Sequence, residues 1–228
     1  SDGPLILKGV SLSIPAGSYV AVLGSSGSGK STLLSLLLGR HRAKEGEILM
    51  DGVPISAVPL HSLRESLAVV FQETYVLDGT IGDNISFGSD ATVEKIVEAA
   101  KKASVHDVID KLPNKYDTVL GKESTINMSG GQLQRICGIA RAVLQDKPLL
   151  LLDEATSAVD AVTEQKFIET IEQLRDQGLT VVSVTHHPST AKNADMILVL
   201  DKGIVVETGT YPELIDGGGL FSQLASAG

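Results

Sequence analysis

Gly24-Ser25-Ser26-Gly27-Ser28-Gly29-Lys30-Ser31-Thr32 satisfies the pattern G-x-x-x-x-G-K-[ST] at every position. The apolar run Tyr19 to Leu23 precedes it. Ser31 to Leu38 follows as a helical run, closed by Gly39, a natural residue just past a helix end. A strand, a glycine loop and a helix start turn successive backbone N–H groups toward one anion, at the positive end of a helix dipole. Lys30 is placed to reach the β- and γ-phosphates of a nucleotide, and the Ser31 hydroxyl to ligate Mg²⁺. A flexible Gly/Ser loop matching by chance would have no reason to carry a strand on one flank and a helix on the other.

A second reactive stretch is Leu149-Leu150-Leu151-Leu152-Asp153-Glu154, two carboxylates at the end of a run suited to a buried parallel strand. In an open parallel sheet, ligands bind at that carboxyl end. Asp153 would hold Mg²⁺, directly or through water, and Glu154 would polarise an attacking water. Two acids after a strand are by themselves equally consistent with a solvated turn. Beside a phosphate loop they read as a Walker B pair. A third stretch, Met128-Ser129-Gly130-Gly131-Gln132, opens a helix with a hydroxyl and two bare glycine amides. Ser-Gly-Gly can simply cap a helix, but the same physics makes it a second phosphate site.

The elements that must position these residues follow from periodicity and turn signals. Leu5 to Ile14 alternates, and Pro15-Ala16-Gly17-Ser18 is a turn before the loop strand. Glu47 to Met50 is a strand with a hairpin signal at Asp51-Gly52, so an antiparallel β layer is expected beside the nucleotide core. Leu67 to Phe71 is a further strand, ending at Gln72.

From residue 73 to 142 strand-like runs give way to helical patterns. These are Thr92 to Ala103, then Ser104 as an N-cap through Leu112, then the helix from Ser129 through Gln145. This stretch reads as a helical subdomain inserted into an α/β core made of residues 1–72 and 143–228. The core resumes with Pro148 to Leu152, the helix Val162 to Gln177, the strand Leu179 to Thr185, and a strand pair around Lys202-Gly203. Thr210 and Glu213 form a capping box that opens a terminal helix.

Composition sets outer limits. The 228 residues suit one large α/β domain, and 43% apolar content is enough for a core. Lys and Arg number 19 against 28 acids, a net charge of −9, which argues against a duplex nucleic-acid binder. The single cysteine, Cys137, has no internal disulfide partner and fits a reducing compartment. No run approaches the length of a membrane span, so the isolated chain is expected to be soluble. Its opening, Ser1-Asp2-Gly3-Pro4 before an early strand, suggests a piece of something longer.

The phosphate loop, Gln72, MSGGQ, LLLLDE, Ser157-Ala158-Val159-Asp160 and Thr185-His186 stand in the order and spacing of an ABC transporter nucleotide-binding domain. The resemblance covers essentially the whole chain. Gly79 to Ile85 and the tail Val206-Glu207-Thr208-Gly209-Thr210 resemble the exporter branch. It implies a P-loop NTPase fold, mostly parallel, with an antiparallel β subdomain and a helical one. It also implies that two such domains pair head to tail, with ATP between the phosphate loop of one and Ser129 and Gly131 of the other. Gln72 would sense Mg²⁺ and water where the domain meets its transmembrane partner. His186 would contact the γ-phosphate, and Asp160 would lie across the dimer interface. The chain would work at the cytoplasmic face of a membrane, as the ATPase of an exporter.

Several residues depart from the family pattern. Met128 stands where Leu is usual, and keeps its bulk and apolarity. Thr118 to Ser124 matches poorly the acidic-glycine stretch that exporters carry before the signature. His187 follows His186 where Arg is common, and register favours His186 for the switch. The adenine-stacking aromatic of the family falls just upstream of Ser1, and neither Tyr19 nor Tyr75 stands where it should. A soluble ABC ATPase of DNA repair or translation would share the signature, but often with long coiled-coil insertions or tandem cassettes. A phosphate-loop kinase or GTPase would lack MSGGQ, and a non-hydrolysing regulatory domain would not need Glu154 and His186 together.

Overall fold

The computed structural model describes residues 5–122, 124, 126–156 and 161–227. Tyr19–Leu23 forms β1, buried throughout, and the glycine loop leads into α1 (Lys30–Leu37). A hairpin of β2 (Leu49–Met50) and β3 (Val53–Pro54) closes at Asp51-Gly52. Both turn residues have positive φ, 50° and 78°, as a two-residue turn between twisted strands requires. After α2 (Leu60–Glu65) comes β4 (Leu67–Val70), which stops before Phe71.

Helices dominate the next stretch. β5 (Gly79–Thr80), α3 (Ile81–Ser86), α4 (Val93–Lys102), α5 (His106–Asp110) and β6 (Val119–Leu120) follow, with β5 and β6 paired antiparallel. One long helix comes next: α6 (Gly130–Leu133), a π-helical stretch Gln134–Ala140, and α7 (Arg141–Leu144). The chain then returns to the sheet with β7 (Leu149–Asp153), α8 (Ala161–Asp176), β8 (Thr180–Thr185), β9 (Met196–Asp201) and β10 (Ile204–Gly209). It ends in α9 (Tyr211–Asp216) and α10 (Leu220–Ala227).

The main sheet runs β10-β9-β1-β8-β7-β4, parallel except for β10, which turns back on β9. Successive side chains of a strand point to opposite faces, and β1 separates two cores accordingly. Tyr19, Ala21 and Leu23 join Ile136, Ile139, Phe167 and Ile171 on one face. Val20 and Val22 join Leu33, Leu34 and Leu63 on the other. A fully buried Leu or Ile contributes about 1.5–3 kcal/mol, so Ile81, Ile85, Ile136 and Ile139 firmly tie the helical stretch to the sheet.

Three sequence expectations change. Leu5 to Ile14 is not a strand: Leu7, Leu12 and Ile14 do turn inward to the second core, but Gly9 at φ 69° breaks the extended run. Besides that packing, Lys8 N–H donates to Gly203 O at 2.7 Å. Ser104 does not cap α5. It sits at φ 53° just past α4, where Ser104 N–H reaches Lys101 O and Val105 N–H reaches Ala100 O, the paired closure of a Schellman C-terminus. The terminal helix is two helices, α9 and α10, with Glu207 accepting from Leu220 N–H and Phe221 N–H at the start of the second. The antiparallel β layer is small, two residues per strand in β2 and β3.

Candidate active site

Register levels the carboxyl ends of the sheet. Leu23 pairs with Thr185, Val184 with Asp153, and Leu152 lies beside Val70. The phosphate loop, His186 and Asp153-Glu154 therefore leave the adjacent strands β1, β8 and β7 at one edge. Gln72, exposed two residues past β4, completes the row. Strands sit ~4.8 Å apart, so the row spans roughly 14 Å.

Within the loop, Gly24 is required by close approach: a Cβ there would lie 2.3 Å from Leu200 O and 2.5 Å from Ser28 Oγ. Ser28 Oγ is buried without a hydrogen-bond partner among the described residues, while Ser25, Ser26 and Gly27 are exposed. Gly29, at φ 112°, precedes α1 and has no side chain to cap it, so the helix-start amides of Lys30, Ser31 and Thr32 are not occupied by a cap from that residue. Lys30 is only 6% exposed, and its Nζ donates to Gly24 O at 2.7 Å and Ser25 O at 3.0 Å. Burial pushes its pKa down, against the opposing pull of Glu154 and Asp153. The lysine is thus held inside the loop, facing two acids.

Those acids differ. Burial holds the Asp153 carboxyl above its usual range, Glu154 adds to that, and Arg40 and Lys30 pull the other way. Glu154 has φ 45°, a left-handed conformation that costs a non-glycine residue about 1–3 kcal/mol. Its N–H donates to Val184 O at 2.8 Å, which fixes that backbone and aims the carboxylate across β8. There Oε1 lies 3.3 Å from His186 Nδ1. The contact falls on His186, while the His187 ring lies tilted against it at 41°, with centroids 3.9 Å apart.

Ser31, Asp153 and Gln72 offer hard oxygens, the donor type that Mg²⁺ takes. Among the described residues no group of three or more His, Cys, Asp and Glu side chains could hold a metal alone.

The second helix start is capped from within. Ser129 Oγ accepts from Gln132 N–H at 3.2 Å, and Gln132 Oε1 accepts from Ser129 N–H at 2.9 Å. Ser129 and Gly130 are exposed, and among the described residues their side-chain and cap hydrogen bonds stay within this helix start. Gly131 is pressed against α8, where a Cβ would lie 1.9 Å from Thr163 Cγ2 and 3.0 Å from Thr163 Cβ. Gly131→Ala should therefore destabilise the fold by roughly 1–3 kcal/mol. Adding Thr163→Ala should recover part of the loss. Urea midpoints read both, and a Gly131→Ala midpoint equal to that of the parent would show that this helix start is not seated on α8. Asp160, with Ser157, Ala158 and Val159, lies outside the described residues.

Sequence reading missed the ties between these parts. Buried Gln134 donates from Nε2 to Phe71 O at 3.1 Å, at the root of Gln72. Arg141 donates to Asn84 O at 2.9 Å and Tyr75 O at 3.1 Å. Arg135 donates from Nη1 to Ser104 O at 2.8 Å. The available signal was polar side chains on a helix that is otherwise apolar and buried.

The family model for the ABC transporter matches residues 7–157. The chain is 46% identical over 219 residues to the ATP-dependent lipid A-core flippase of Saccharophagus degradans, covering 96% of this chain and 37% of that protein. It is 46% identical over 224 residues to the mitochondrial iron-sulfur clusters transporter ATM1 of Gibberella zeae, covering 97% of this chain and 32% of the other. Its fold matches a structure of a bacterial Atm1-family ABC exporter with ATP bound, at a TM-score of 0.87 and 41% identity, over 97% of this chain and 38% of that one. The chain belongs to the ABC transporter family. It spans about a third of the length of these curated relatives. Among the described residues no helix is long and apolar enough to cross a membrane.

Proposed function

We propose that this chain hydrolyses Mg·ATP at a site shared between two head-to-tail copies or homologues, and that the cycle moves the transmembrane segments of an exporter from the cytoplasmic face. The observation that carries the reading is the separation of two anion-binding helix starts. One lies on the catalytic edge with Lys30, Glu154 and His186, and the other, Ser129 to Gln132, is seated on α8 with Ser129 exposed and its cap bonds, among the described residues, within its own helix start. A second domain supplies the missing half of each site.

In this reading Gly24 to Thr32 cradle the phosphates through backbone amides and Lys30. Mg²⁺ would be held by Ser31, Gln72 and Asp153, and when bound neutralises charge on the β- and γ-phosphates. Glu154 takes up the proton of the attacking water, and His186 steadies that carboxylate and the γ-phosphate. Asp160 meets the partner domain. Residues 73–142 move as a module, and Gln134 links its helix to the segment carrying Gln72. The relatives' names carry different cargoes: lipid A-core, iron-sulfur clusters and β-(1→2)glucan, at 44–46% identity. Cargo choice therefore belongs to parts other than this shared motor, and these names favour an exporter over a soluble ATPase of repair or translation.

Lys30→Ala tests the reading directly. Losing a charge-assisted contact of about 1.5–3 kcal/mol should weaken nucleotide binding roughly 10- to 150-fold and abolish useful turnover. Calorimetry and phosphate release measure both. Hydrolysis at the parental rate would remove the phosphate loop from the site.

A further inference from the structure

The contact of His186 with Glu154 depends on how the backbone after β8 is held. β8 ends at Thr185, His186 and His187 follow, and a single 3₁₀ turn, Pro188–Ala191, leads away. His187 N–H donates to Thr185 Oγ1 at 3.0 Å. His187 O accepts from Thr190 Oγ1 at 2.7 Å and from Thr190 N–H at 3.3 Å. The two threonine hydroxyl oxygens are 3.1 Å apart. Each hydroxyl has one proton. With the Thr190 proton on His187 O, the Thr185 proton is free to bridge the pair, which closes a ring through both polar groups of His187. Thr185 and Thr190 are 3% and 4% exposed, so a broken ring would leave buried groups unmatched.

The ring is anchored to the phosphate-loop strand. Tyr19, the first residue of β1, donates from its hydroxyl to Thr190 O at 2.9 Å. Burial pushes the Tyr19 pKa up to about 12, so it remains a donor throughout the working pH range. Ala155 and Thr156, directly after Glu154, line the other side of the same cluster, across a space of about 10 Å³.

We infer that Thr185 and Thr190, anchored by Tyr19, are positioning residues that hold His186 against Glu154 by gripping both polar groups of the His187 peptide. This rests on the role of His186 given above, and the test separates the two. The packing around the threonines leaves little room, so valine, of the same shape, is the matched substitution. Thr190→Val should lower kcat roughly 10- to 100-fold, as a slightly misplaced group does, with KM for ATP unchanged. Thr190→Ser restores the hydroxyl and should restore kcat. In a His186→Ala background, Thr190→Val should slow turnover no further, because the threonine acts through the histidine.

These variants of the 228-residue chain are compared by steady-state ATPase kinetics, with thermal unfolding as a control for folding. Thr185→Val is measured in parallel, so that a misfolded Thr190→Val does not decide the outcome. Parental kcat in both valine variants, with His186→Ala slow, would overturn the inference and leave the role of His186 standing. Parental kcat in His186→Ala would overturn both. Additive losses in the double variant, or no recovery with serine, would make the threonines packing residues only.

Discussion

Glu154→Gln is expected to bind ATP, to hydrolyse it roughly 10²–10⁴-fold more slowly, the range that a positioned acid–base group supplies, and to accumulate as an ATP-bound dimer. Glutamine keeps the length of the side chain and a hydrogen-bonding oxygen, so the contact at 3.3 Å with His186 can persist in altered form. The backbone at φ 45° is held by the bond to Val184 O and does not depend on the carboxylate. What disappears is the base. The substitution also removes a negative charge beside Asp153 and Lys30, and Glu154 is one of the charges that hold the Asp153 carboxyl up. Loss of that repulsion leaves Asp153 more readily ionised, so nucleotide binding should survive. Size-exclusion chromatography at saturating Mg·ATP reads the trapped state. A protein that binds ATP and stays monomeric at high concentration would count against the shared site.

Mixing two dead variants is expected to restore ATPase activity above the sum of the separate proteins. Lys30→Ala disables the phosphate loop. Ser129→Arg places a bulky cation at the exposed second helix start, and removes the hydroxyl that caps Gln132 N–H. In a mixed dimer the Ser129→Arg chain brings an intact loop and the Lys30→Ala chain an intact signature. One composite site is then whole. If loop and signature of one chain served the same ATP, no mixture would contain a working site. Distinguishable tags and crosslinking first confirm that mixed dimers form. Should they form and remain silent, their ATP-dependent dimerisation separates an intrachain site from a pair that must fire together, since only a shared site still traps nucleotide.

The sequence made the strands legible where burial on both faces left no alternative, as in Tyr19 to Leu23 and Leu149 to Leu152. It also gave the hairpin at Asp51-Gly52, because turn chemistry there is local. It misled at Leu5 to Ile14, where alternation decides which way side chains face but a strand also needs a partner ladder. Ser104 shows the same limit. As a residue type it suits a cap at either end of a helix, and only the closure of α4 decides which. At the site, the phosphate loop and the two acids were visible because their spacing is the chemistry. The contact of His186 with Glu154, the tie of Gln134 to Phe71 O and the His187 ring were not. The first two join residues 32 and 63 positions apart, and the ring is anchored by Tyr19, 171 positions from Thr190; no local pattern encodes which buried hydroxyl meets which carbonyl.

One connection under the phosphate loop has a mechanical meaning. Lys8 N–H holds Gly203 O at 2.7 Å, and Gly203 N–H holds Ser28 O at 2.9 Å. Leu7 Cδ2 lies 2.7 Å from where a Cβ on Gly29 would be. A tension applied along residues 6–8 is thus loaded in series through the β9–β10 turn onto the middle of the glycine loop, with no side chain between. Hydrogen bonds at 2.7 and 2.9 Å are already at contact distance, so the path carries a push as well as a pull, and the loop and the segment upstream of it shift together.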